Sequence, residues 1–165
     1  MSPERRAAND LLIAKWTGRP LPIDPAVLAN SIGVITEDVV FEFDRDPEMH
    51  GVSGQYIGSP VPTIRYSATE HGPRRRFTIA HELGHHVMKH GDRFRDTQKA
   101  FFSNNWDPVE VSANKFAAEL LMPFVIVERF VLQEGITDIS RLAEKFGVSE
   151  AAMRYRLINL NLLTG

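Results

Sequence analysis

The sequence contains no cysteine. That excludes a disulfide framework and any thiolate metal site, so a metal here can be held only by histidine and carboxylate. No apolar run approaches the roughly 18 residues needed to cross a bilayer. Positive charge is not in excess either: 19 Lys and Arg against 21 Asp and Glu give a net charge of −2, so no overall basic field points to nucleic acid. The start, Met1 to Arg6, leads into only a short apolar patch ending at Lys15 and does not read as a secretory signal. The expectation is a soluble, cytoplasmic protein. Of the 165 residues, 43% are hydrophobic and 24% charged, which fits one domain with a true core and a small appendage and argues against disorder.

Against this plain background one stretch stands out, Phe77 to His90, with His81-Glu82-Leu83-Gly84-His85 at its centre. On a helix, His-Glu-x-x-His is a zinc site with its own base. Four residues place the two imidazoles about 40° apart around the axis and one turn apart along it, where they can share one tetrahedral ion. Glu82 falls about 100° from His81 and about 60° from His85, so its carboxylate lies beside the ion, where it can take a proton from water. Phe77, Ile79, Ala80, Leu83, Val87 and Met88 surround the helix with apolar groups and mark it as a core helix. Gly84 costs roughly 1 kcal/mol in a helix interior, which implies that another segment or a substrate comes close. His86 and His90 lie about 140° and 180° from His81 and point away from the ion, as surface residues or as supports to the ligands.

Before this stretch, residues 3–16 read as an amphipathic helix begun by Pro3 and ended by Gly18 and Pro20. Asp24-Pro25 opens a second helix that stops at Gly33. Val34–Phe43, Gly51–Ile57 and Val61–Tyr66 read as strands of a small sheet of three or four. One strand edge is expected beside the site, able to hold an extended peptide. Arg74-Arg75-Arg76 reads as a solvated loop leading into the metal helix. Residues 91–106 lack periodicity, and Phe94, Phe101, Phe102 and Trp106 there either line a cleft or cover the core.

A third ligand has to come from elsewhere. Asp107-Pro108 starts a helix running to Met122 before Pro123. It offers Glu110 and Glu119, nine residues apart on roughly opposite faces. Glu110 shares its face with Ala113, Asn114, Ala117 and Leu121, so it faces the core, where an unpaired carboxylate is expensive. Glu119 shares its face with Ser112 and Lys115 and is expected to face water. Glu110 is therefore assigned to the metal, with Asn114 one turn on as a partner for a ligand or a simple polar contact. His81, His85 and Glu110 leave a fourth position open, which indicates catalysis rather than a structural role. No oxyanion-stabilising group is identified; Tyr66 and His86 are the weak candidates.

Pro123–Gln133 reads as a further helix closed by Gly135. Residues 136–157 read as helix, turn at Gly147 and second helix capped by Ser149, with Leu142, Ala143, Phe146, Val148 and Met153 as a small core. This is a helix-turn-helix-like pattern that would present Glu150, Arg154 and Arg156 to DNA. From Ser140 to Gly165, however, Arg141, Lys145, Arg154 and Arg156 stand against Glu144 and Glu150, a thin footprint for phosphate binding. A packing or protein-docking role is preferred. The resulting fold is α+β, divided into residues 1–133 and a C-terminal segment 134–165 packed on them.

Arg76-Phe-Thr-Ile-Ala-His-Glu-Leu-Gly-His85, followed by Glu110-Val-Ser-Ala-Asn-Lys-Phe-Ala-Ala-Glu-Leu-Leu-Met-Pro123, strongly resembles the ImmA/IrrE family of bacterial and phage metallopeptidases. The ending Arg141-Leu-Ala-Glu-Lys-Phe-Gly-Val-Ser-Glu-Ala-Ala-Met-Arg154 is similar to a helical segment that many members carry. The resemblance is firm from about Thr63 to Leu160. It implies a zincin-like, gluzincin-type fold, zinc held by His81, His85 and Glu110, and Glu82 as the catalytic acid. It also implies a narrow proteolytic role, in which a helix-turn-helix repressor or antitoxin is cleaved or otherwise inactivated. The expected function is thus a zinc-dependent endopeptidase acting on such a regulator. A metal-stabilised module that sequesters the regulator without cutting it, and a DNA-binding regulator working through residues 138–160, are the alternatives.

Overall fold

The structure, a computed structural model, describes residues 1–41, 54–91, 93–94 and 107–165. Four short strands form one sheet in the order β1-β3-β2-β4: β1 (Ile35–Val39), β2 (Gly54–Ile57), β3 (Thr63–Ser67) and β4 (Arg93–Phe94). β1 runs parallel to β3, pairing Ile35 with Thr63. β2 runs antiparallel to β3 on one side and to β4 on the other. The outer strand on the β2 side is therefore β4. Seven α-helices accompany the sheet among the described residues: α1 (Pro3–Lys15), α2 (Pro25–Ser31), α3 (Gly72–Val87), α4 (Pro108–Leu121), α5 (Phe124–Glu128), α6 (Ile139–Phe146) and α7 (Glu150–Asn159). The class is α+β, with a sheet of the expected size.

Local chemistry sets the helix starts. Ser2 and Asp24 accept from backbone amides at the entries to α1 and α2, each followed by proline at the first helical position. Asp107 Oδ1 accepts from Val109 N at 2.9 Å and opens α4 in the same way. α5 loosens into a π turn over Arg129–Gln133 before Gly135. Gly147, at φ 64°, ends α6 in a left-handed conformation suited to glycine, and Ser149 caps α7.

Several expectations need correction. The three arginines do not precede the metal helix in a loop: they lie within the first turns of α3, which begins at Gly72. Arg75 reaches the Glu70 carbonyl, and Arg76 donates to the carbonyls of Gly147 and Ile23. β1 ends at Val39, short of the expected strand. Its expected last residues, the start of the second strand before Gly54 and most of residues 91–106 lie outside the described residues.

Glu119 does not face water. It is buried, with Arg156 Nη2 at 2.7 Å and Arg5 Nε at 3.1 Å. The physical reason is α1. This helix packs along the side of α4 opposite Glu110, where Ser112 also donates to Glu4 Oε1 at 2.9 Å. Arg156 is correspondingly buried, donating to the Met122 carbonyl as well, and is not presented to DNA. Arg154 and Glu150 are exposed.

One apolar cluster runs through all of this, from Ala8 and Leu28 through Ile64, Leu83 and Phe116 to Phe146, Met153 and Leu157. α3 and α4 cross at its centre and make the most extensive helix contact in the fold. Gly84 sits at the crossing. A Cβ there would come 3.1 Å from Phe116 Cδ1 and 3.3 Å from Ala113 Cα. The close approach implied by this glycine is that of α4.

Candidate metal centre

The crossing brings together side chains that the sequence holds 25 residues or more apart. His81 and His85 project from successive turns of α3, and Glu110 from the first turn of α4. Both imidazoles are buried. Glu110 Oε2 lies 2.8 Å from His81 Nε2, Glu110 Oε1 lies 3.2 Å from His85 Nε2, and the two Nε2 atoms are 3.2 Å apart. Burial pushes the Glu110 carboxyl up, but hydrogen bonds from His81 and His85 and their charge outweigh it and hold it well below the usual carboxylate range.

This trio fits a metal ion. A tetrahedral ion with bonds of about 2.0–2.1 Å sets its donors about 3.3 Å apart; two of the separations found are 3.2 Å, and the third, 2.8 Å between His81 and Glu110, is a hydrogen-bond distance that an ion would open slightly. The outer nitrogens are also arranged for it. His81 Nδ1 faces Asn114 Oδ1, an acceptor, at 2.8 Å, so Nδ1 keeps a proton while Nε2, which donates to Glu110 here, can give its own up and turn a lone pair to a metal. His85 Nδ1 faces His90 Nδ1 at 3.0 Å, which lets His85 do the same. Among the described residues, His81, His85 and Glu110 are the group able to hold a metal.

His90 was expected to point away, as an extrapolation of helical angles. The helix ends before it gets there. Lys89 takes a left-handed φ of 59° and Gly91 one of 83°, and the chain folds back so that His90 N donates to the His85 carbonyl at 2.9 Å. His86 does face elsewhere: its Nδ1 lies 2.7 Å from the Tyr56 hydroxyl on β2, and burial lowers its pKa. Tyr66 stacks under the Arg75 guanidinium at 5.2 Å.

Glu82 is fully buried and stands outside the trio. It lies on the flank of α3 that packs against β2, one turn beyond Thr78, and its carboxylate sits beside Gly54.

With this geometry in hand, the comparison with protein families is decisive. The model of the IrrE N-terminal-like domain, Peptidase_M78, matches residues 38–158. The chain belongs to the Peptidase_M78 family. The match runs from within β1 into α7 and takes in the whole trio, Glu82 and both arginines that fasten the C-terminal helices. No curated protein sequence matches the chain. Peptidase_M78 membership makes this a metallopeptidase-type domain, in accord with its histidine and glutamate cluster. No helix among the described residues is long and apolar enough to cross a membrane.

Sequence reasoning missed Gly54 and the Glu119 network around the Peptidase_M78 site, and left His90 between a surface position and support of a ligand. His90 carried a signal in Gly91, a helix stop one residue later. Gly54 carried one too, as a glycine inside a strand pattern. For Glu119 the sign was Arg5 in a helix with its own apolar stripe, which had to cover some other element.

Proposed function

We propose that the protein is a zinc-dependent, site-specific endopeptidase with a zincin-like fold. His81, His85 and Glu110 hold the metal, and Glu82 is the base. The observation that carries this reading is the convergence of the two Nε2 atoms and the Glu110 carboxylate within 3.2 Å of one another. The donor set is two imidazoles and a carboxylate, which suits zinc and leaves one position for substrate or water. Zinc, when bound, supplies Lewis acidity toward a scissile carbonyl and toward water.

The chain's own groups supply the rest. Asn114 and His90 keep the protons of His81 and His85 on Nδ1, so both Nε2 lone pairs are available. Glu82 takes a proton from the attacking water and returns it to the leaving amine. The aliphatic packing of α3 keeps bulk water from the helix face opposite the site.

The substrate in this reading is a protein regulator, a helix-turn-helix repressor or antitoxin from an adjacent reading frame, in a cytoplasmic setting. What supports it is the family relationship and the fit of the site to peptide hydrolysis. The C-terminal pair α6 and α7 acts as scaffold in this reading, because Arg156, one of its few basic groups, is spent on Glu119.

The test is incubation of the zinc-loaded protein with the regulator, followed by intact-mass analysis. New fragments that vanish with chelator and with Glu82→Gln, while Glu82→Gln still binds zinc, are expected. A stable complex without fragments would replace the peptidase by a sequestering module.

A further inference from the structure

β2 carries a glycine, Gly54, at a position where nothing in the backbone requires one. It pairs in register with Tyr66 of β3 as an ordinary antiparallel strand residue, and its φ is not in the left-handed region. Gly54 opens β2, and a glycine held in a strand pairing loses more conformational freedom on folding than alanine would. Its use in such a place marks a close approach by another group. That group can be identified. A Cβ on Gly54 would fall 2.7 Å from Glu82 Oε1 and 3.1 Å from Glu82 Cγ, and 2.7 Å from the Thr78 methyl. Carbon atoms do not come that close to non-bonded neighbours, so something would have to move.

Which group would move follows from the surroundings. Thr78 is fully buried and tied through its hydroxyl to Glu70 Oε2 at 3.0 Å, and Glu70 is held in turn by Arg74 at 3.5 Å. β2 is paired to β3 at Gly54 itself, and to β4 from the next residue on, at Gln55 and Tyr56. Glu82 Oε1 is the far end of a side chain with three torsions, whereas the Thr78 methyl is set by one, so the carboxylate is the group that yields at least cost. A side chain on residue 54 would therefore be accommodated by displacing the carboxylate.

Resting on the peptidase reading, in which Glu82 is the base, we propose that Gly54 is a positioning residue for catalysis. Its bare Cα lets the main chain of β2 form the wall against which the Glu82 carboxylate is held. The three atoms nearest to a Cβ on Gly54 belong to Glu82 and Thr78 and not to a proposed metal ligand, so the effect of a side chain there is expected to separate from metal binding.

Two measurements test this. The first is a double-mutant cycle on thermal stability using Gly54→Ala and Glu82→Ala, in a Thr78→Ser background that removes the methyl contact and keeps the hydroxyl. Gly54→Ala should lower the melting temperature when Glu82 is present and have little effect when Glu82 is truncated. Equal effects in both backgrounds would overturn the proposal. The second is kinetic. Zinc-loaded Gly54→Ala should bind one zinc as wild type does, keep its KM and lose about 100-fold in kcat, the cost of misplacing a catalytic group by about an ångström. Full kcat in Gly54→Ala together with inactive Glu82→Gln would sink the role of Gly54 and leave the base in place. Active Glu82→Gln would sink the base, with the stability cycle still reporting on the contact. If Gly54→Ala does not fold, adding Glu82→Ala and Thr78→Ser must restore folding; failure to do so rejects the proposal.

Discussion

Asn114 Oδ1 lies 2.8 Å from His81 Nδ1, and Asn114 sits one turn along α4 from Glu110. One helix thus carries Glu110, a proposed ligand, and holds the ring of His81, a proposed ligand on the helix it crosses. The two contacts are separate in the chain and cooperative at the site.

The consequence for Asn114→Ala is a weaker metal site in an intact fold. Losing the partner of a ligating histidine typically costs 10–100-fold in metal affinity. Zinc titration by isothermal calorimetry should show a loss of about that size, with an unchanged far-ultraviolet circular dichroism spectrum. Unchanged affinity would show that the contact does not orient His81.

Gly84→Ala pits two effects against each other. Alanine gains roughly 1 kcal/mol of helix propensity over glycine. Its methyl would press on the Ala113 backbone and on Phe116 at 3.1–3.3 Å, and overpacking of this kind costs typically 1–3 kcal/mol. Backbone cannot rotate aside as a side chain can, so the second effect should win. Denaturant unfolding should show net destabilisation of up to about 2 kcal/mol. Zinc should bind more weakly, because the ligands on the two helices move apart.

Arg156→Ala removes the buried partner of a buried carboxylate. Glu119 would keep only Arg5, a more exposed residue, at 3.1 Å. Breaking a buried pair on one side costs about 3–5 kcal/mol. Arg154→Ala, on the exposed face of the same helix, should change stability by no more than about 0.5 kcal/mol. Chemical denaturation of the two variants side by side checks the contrast. A DNA-binding assay on the same two variants separates scaffold from DNA contact, since a DNA-reading helix would show the larger loss of DNA binding for Arg154.

Acid should act on Glu110 in a definite direction. Burial raises its pKa, but the hydrogen bonds and charge of His81 and His85 dominate and hold it well below the ordinary value of 4.5. A group depressed in the folded state adds stability that is complete above the unfolded pKa and is lost as pH falls through the folded one. After treatment with chelator, wild type should therefore lose stability below about pH 4.5 more steeply than Glu110→Gln. Parallel curves from thermal melts would contradict the assigned environment.

Much of this could be read before any coordinates. Helix starts at Asp24, Asp107 and Ser149 follow from capping chemistry, which is local and written in adjacent residues. Glu110 beside the histidines followed from helical angles and the cost of a buried charge. The failures share a cause. Glu119 and Arg156 are buried, and Arg76 half-buried, by partners 34 or more residues away in the chain. No periodicity within one helix reveals what covers its other side. His90 was placed only in part, as a surface group or a support to the ligands, for the opposite reason: helical angles were carried three residues past Val87, the last residue of α3. The contact of Gly54 with Glu82 depends on how far β2 stands from α3, a distance that the pattern of a strand does not contain.

The turn at Lys89 and Gly91 gives the length of α3 a chemical meaning. A helix that ran on by another turn would carry His90 to its far side and leave the His85 ring without the neighbour that fixes its rotation. The point where the coil stops winding thus works as a gauge. Insertion or deletion of a single residue between His85 and Gly91 would detune the ligand without touching it, even in a protein that still folds.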